Sequence, residues 1–164
     1  MRLDVPEGQH PVMWAWGEAV PGIGRAASRF AQAVYSDHTL ELRPFEAARL
    51  RIAQLNGCLF CLDWRTEQDG QKVEDSFLEA VEQWRTTDAF DDRTRLAAEY
   101  AERYATDHLS LDGDEDFWTR FRTHFTQQEQ LELTMCLGSW LAFGRLNHVF
   151  GLDAACVLIG RAHV

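Results

Sequence analysis

The chain has 164 residues, 46% of them hydrophobic, which suits one globular domain with a sizeable core. Its formal net charge is −10, from 16 Lys and Arg against 26 Asp and Glu, and no basic cluster stands out, so neither a nucleic-acid nor a membrane-surface partner is expected. No apolar run approaches the roughly 20 residues of a membrane span, and the start lacks the basic-then-apolar order of a secretory leader; a cytoplasmic protein is expected.

In chain order, residues 1–20 fit no regular pattern, and "VMWAW" reads as a short extended arm set against the chain's own core or another subunit. The helical domain is expected to run from 21 to 164. "GIGRAASRFAQAVYS" places Ile23, Ala27, Phe30 and Val34 on one helix face. Pro44 suits the first turn of the next helix, where Phe45, Ala48, Ile52 and Leu55 recur until Asn56-Gly57 ends it. A new helix is expected from near Cys58 to about Gly70.

"VEDSFLEAVEQW" follows, with Phe77, Ala80, Val81 and Trp84 on its apolar side. "DDRTRLAAEYAERYA" then stacks Leu96, Ala97, Tyr100, Ala101 and Tyr104, and "HLSLDGDE" reads as a loop. A short aromatic helix carries Phe117, Trp118, Phe121 and Phe125. Thr126 and Glu129 have the spacing of a capping box. They open the longest helix, which Gly151 stops and whose several apolar faces predict a central, buried position. Strand signals are scarce, so the fold class is all-α, in a single domain.

Cys58 and Cys61 form a C-x-x-C three residues apart, neighbours on one helix face and within reach of a disulfide. The Asn-Gly break sets them at a helix start, where free amides favour a thiolate, the form that attacks peroxides and disulfides. Three readings are open: a redox pair, a metal clip and helix packing. A zinc site needs two more ligands. Cys136 lies in the long helix and Cys156 in the C-terminal tail, both expected as small core residues, and no second C-x-x-C exists, so no metal is expected. Of the six histidines, His148 is the one that could approach the cysteines, although a packing or solvent role is the plainer reading.

Arg65 lies four residues after Cys61, on the same face of a continuous helix. There it would favour a thiolate, but an arginine cannot accept the proton. Glu46, twelve residues before Cys58, is the carboxylate that could fold back to the pair, whereas Asp63 points away from it.

"EAARLRIAQLNGCLFCLDWRT" resembles the core of the AhpD-like alkylhydroperoxidases of the carboxymuconolactone decarboxylase superfamily. That core runs Glu, eleven residues, Cys-x-x-Cys, three residues, His, and Glu46, Cys58 and Cys61 fall on it in register. "FTQQEQLELTMCLGSWLAFGRLNHVFG" resembles the family's closing helix, with Arg145, Leu146 and Asn147 on its N-R-L-N-like ending and Gly144 in place of the first Asn. The resemblance covers roughly residues 20 to 151.

It implies an AhpD-like helical bundle assembling as dimers, trimers or hexamers, and thiol peroxidase chemistry without a cofactor. Cys61 is then the peroxidatic cysteine, Cys58 the resolving one and Glu46 the relay carboxylate. The partners implied are a hydroperoxide and a dithiol reductant, either lipoyl-bearing or thioredoxin-like. The sequence departs where the family's relay histidine is Arg65, and where some members have a second histidine it carries Phe60. Arg65 can hold a thiolate, or it can pair with Glu46 as a structural ion pair. Two further readings are a non-catalytic or redox-sensing helical oligomer and a carboxymuconolactone-type decarboxylase; the C-x-x-C pair argues against the decarboxylase.

Overall fold

Helix α3, Leu42–Asn56, buries ten of its fifteen residues, and the other helices are arranged around it. The computed structural model describes residues 1–152. Phe45, Ala48 and Ile52 of α3 face one apolar cluster, completed by α6 (Asp92–Thr106), α8 (Glu115–His124) and α9 (Gln127–Phe150). Ala47 and Leu50, on the opposite side, face a second cluster with Phe77, Val81, Trp84, Phe90 and Ala98. Each fully buried Phe or Leu contributes about 1.5–3 kcal/mol relative to exposure, so α3 and its neighbours hold most of the fold's hydrophobic stabilisation.

The ends of these helices follow local chemistry. Asp91 and Asp114 accept from the Thr94 and Phe117 amides at the starts of α6 and α8. The capping box of α9 is present, with the Thr126 side chain on the Glu129 amide and the Glu129 carboxylate on the Thr126 amide. Gly151 closes α9 at φ 73°, a left-handed conformation. Among the described residues the only strand-like pairing is an isolated bridge, Gln68 to Gln71. No described helix is long and apolar enough to cross a membrane.

Several expectations change. The N-terminal "VMWAW" is helical and not extended: α1 spans Pro11–Trp14 and a π-helical turn Ala15–Ala19 continues it. Helix α2, Pro21–Ser36, buries Val34 but leaves Ile23 77% and Phe30 41% exposed, so most of its apolar face has no cover among the described residues. Helix α4 spans only Leu59–Asp63 and does not continue to Gly70. Helix α5 is short, Phe77–Glu82, and "HLSLD" is a helical turn, α7, His108–Asp112. The long α9 is not the buried centre, because Leu131 and Met135 are exposed on it; α3 takes that place. Cys156 lies outside the described residues.

Candidate active site

The chain reverses direction where α3 ends. Gly57 adopts φ 65°, which a side chain would strain, and the His148 ring sits 3.4 Å from where its Cβ would stand. His148 therefore does reach the cysteine loop, on the Gly57 side. The Cys58 amide donates to Ala53 O at 3.0 Å, which ties the loop to the last turn of α3. Cys58 then caps α4, its sulfur accepting from the Cys61 amide at 3.4 Å. The two cysteines are joined as a disulfide with Cα atoms 5.3 Å apart. Cys58 is only 3% exposed, whereas Cys61 is half-buried and lines a cavity.

Glu46 and Arg49, both on α3 and both buried, form a bidentate ion pair: Nε to Oε1 at 2.5 Å and a terminal nitrogen to Oε2 at 2.9 Å. The same guanidinium donates to Cys61 O at 2.8 Å and to Trp64 O at 2.7 Å, and it lies over the Trp64 ring. The Thr66 amide approaches Glu46 Oε1 at 3.4 Å. Glu46 thus folds back toward the cysteine turn with Arg49 as the link.

Arg49 is the residue that sequence reasoning missed. The available signal was its i, i+3 spacing from Glu46 inside an otherwise apolar helix pattern. Arg65 is placed differently from the expectation. Because α4 stops at Asp63, Arg65 is not one helical turn beyond Cys61, and its guanidinium donates to Leu62 O at 2.5 Å and Trp64 O at 3.0 Å. The expected alternative pair, Arg65 with Glu46, is replaced by Arg49 with Glu46.

A cavity of about 260 Å³ opens beside Cys61, with Tyr35, Arg49, Phe60, Trp140 and Phe143 on its walls. Burial pushes the Tyr35 phenol up to about 12, so it stays protonated at ordinary pH. The Cys136 thiol is likewise pushed up to about 12 by burial and contacts Val34 O, as befits a core residue. Helix α9 holds the loop from the other side: Asn56 donates to Trp140 O at 3.0 Å and accepts from Arg145 Nε at 3.2 Å.

No family model matches the chain. The uncharacterized protein YnjA of Escherichia coli is 34% identical over 105 residues, a match covering 63% of this chain and 57% of YnjA, little more than half its length. The uncharacterized protein YdfG of Bacillus subtilis is 24% identical over 116 residues, covering 67% of this chain and 75% of YdfG. A crystal structure of an Agrobacterium tumefaciens protein of unknown function, proposed to be the antioxidant defence protein AhpD, aligns with a TM-score of 0.70 and 22% identity. That alignment covers 82% of this chain and 92% of the other. A likeness at this identity concerns the architecture, and in its architecture the chain has the all-helical AhpD-like fold.

Proposed function

We propose that the chain is a thiol-dependent peroxidase that reduces organic hydroperoxides through Cys58 and Cys61. The observation that carries this reading is that Cys61, half of a pair close enough to form a disulfide, lines a mainly apolar cavity. In the reduced form the Cys61 thiolate attacks the distal peroxide oxygen. An S–O bond forms, the O–O bond breaks, and the alkoxide leaves and takes up a proton. Sulfur has then lost two electrons and is a sulfenic acid. The Cys58 thiol attacks that sulfur, water leaves and the disulfide forms. A dithiol donor, lipoyl-bearing or thioredoxin-like, returns both thiols by exchange.

The more buried Cys58 suits the resolving role, since its target is the Cys61 sulfur, which lies within disulfide reach. Arg65 adds a positive charge to the turn that carries Cys61, which favours the thiolate without accepting its proton, while Arg49, its charge paired with Glu46, holds the Cys61 carbonyl. Glu46, in place of a relay, orients Arg49. The exposed Ile23, Phe30 and Met135 support a homo-oligomer, because the described residues of one chain leave them uncovered.

Cys61→Ser is expected to abolish dihydrolipoamide-dependent consumption of cumene hydroperoxide. Cys58→Ser is expected to stall after one turnover, with a sulfenic acid trapped by dimedone. Full turnover by Cys61→Ser would sink the proposal.

A further inference from the structure

Breaking a peroxide O–O bond leaves an alkoxide, a base comparable to hydroxide, and a proton must come from somewhere. The turn that carries Cys61 has no imidazole to supply it, since Phe60 and Arg65 stand there. Among the described residues on the wall of the cavity beside Cys61, three side chains carry an ionisable proton: Cys61 itself, Arg49 and Tyr35. Cys61 has already lost its own in becoming the thiolate. Arg49 stays charged at any physiological pH. Tyr35 is the one that remains.

Tyr35 sits in the last turn of α2, half-buried, with its ring edge-on to Trp64 at 5.2 Å and to Phe45 at 5.9 Å. Trp64 belongs to the cysteine turn: its amide is on Phe60 O at 3.1 Å and its carbonyl on Arg49. Tyr35 is thus one ring away from that turn. Burial keeps the proton on the phenol, and the Arg49 guanidinium and Trp140 indole work against it. Both of those groups line the Cys61 cavity, which sets the hydroxyl on that side. The Trp140 indole lies beside the hydroxyl without the geometry of a hydrogen bond. Indole and guanidinium are donors only, so neither takes the phenol's proton, and both favour the phenolate once it has gone. Glu46, the nearby carboxylate, holds Arg49 with both oxygens.

We propose that Tyr35 is a catalytic residue, the acid that gives its phenolic proton to the oxygen leaving the peroxide. The assignment rests on the peroxidase reading, in which the Cys61 thiolate attacks the distal oxygen. As the S–O bond forms, the O–O bond breaks and both of its electrons go to the proximal oxygen. That oxygen takes the proton from Tyr35 and departs as a neutral alcohol, leaving a phenolate beside Arg49. Solvent then returns a proton to the phenolate. The transfer runs downhill, because the phenol titrates at about 12 and water, the measure for a strong oxygen base, at about 15.7. The same value keeps Tyr35 protonated at neutral pH, so the acid is ready at every turnover.

Single-turnover oxidation of the pre-reduced full chain at pH 7, followed by loss of the free Cys61 thiol, tests the assignment with two oxidants that differ in what leaves. Cumene hydroperoxide releases an alkoxide, which needs a proton. Peracetic acid releases acetate, a weak base that needs none. Tyr35→Phe keeps the ring among Phe45, Trp64 and Trp140 and removes only the hydroxyl. It is expected to slow oxidation by cumene hydroperoxide about a hundredfold or more and to leave oxidation by peracetic acid near the wild-type rate. A residue that merely shapes the cavity would slow both alike. In the wild type, a larger solvent deuterium isotope effect is expected with cumene hydroperoxide than with peracetic acid, which reads the same transfer if the variant does not fold. Equal losses with the two oxidants, no loss with either, a greater loss with peracetic acid, or equal isotope effects would each overturn the assignment and leave the peroxidase reading standing. A wild-type chain whose Cys61 thiol neither oxidant removes would sink the peroxidase reading, and this assignment with it.

Discussion

Position 49 decides how the candidate site is held. A charged residue inside a packed helix costs several kcal/mol to desolvate, and Arg49 offsets that cost with one carboxylate and two carbonyls. Arg49→Met leaves Glu46 buried without its partner, and an expected loss of about 3–5 kcal/mol follows. Urea midpoints at pH 7 check it. The double variant Glu46→Leu with Arg49→Met removes both charges and is expected to recover most of that stability. If the two losses instead added, the ion pair would not be the cause. Glu46 was legible in the sequence through its spacing from the cysteines. Arg49 was not, because an arginine three residues on reads as a solvent-facing partner, and only tertiary packing on both sides of α3 turns it inward.

At the scale of the helix, local signals read well wherever they were the ones that governed. The capping box and the terminal glycine set α9 to the residue, Gln127–Phe150. Helix α4 stopped early for a reason that lies outside its own sequence. A continued helix would need the Cys61 carbonyl for the Arg65 amide, and the Arg49 side chain takes that carbonyl instead. The apolar pattern of α2 correctly marked a helix but not its inner side, since Ile23 faces outward. A prediction belongs to the crossing of α3 and α9. A Cβ at Gly144 would stand 2.4 Å from Asn56 Nδ2, which is fixed on Trp140 O. Gly144→Ala gains about 1 kcal/mol in helix propensity but displaces a buried, hydrogen-bonded amide at about 1–3 kcal/mol. The expected net effect is destabilisation of about 1 kcal/mol, read as a lower thermal midpoint. A raised midpoint would show that Asn56 yields freely.

At the scale of the molecule, the all-α class was readable because nearly every segment repeats apolar residues at helical spacing. Which apolar faces pair within one chain was not, because periodicity does not say whether the cover is internal. Ile23, Leu131 and Met135 are each more than half exposed, a pattern that soluble monomers seldom show in one chain. Light scattering at micromolar concentration is expected to give a multiple of 18.8 kDa. The double variant Ile23→Glu with Met135→Glu is expected to lower that mass. A wild-type mass of one chain would end the oligomer proposal.

The turn that carries the cysteines is held by more than its sulfur atoms. The Cys58 amide is on Ala53 O, the Leu62 amide on Cys58 O, and the Cys61 and Trp64 carbonyls are on Arg49. Every one of these bonds can persist when the S–S bond opens. A redox messenger needs two shapes, one for each oxidation state, so that a partner can tell them apart. We expect the oxidised and reduced chains to share one backbone, with the oxidation state written on the two sulfur atoms. Such a turn is suited to cycling many times without disturbing its surroundings, and it has little means of announcing its state to anything else.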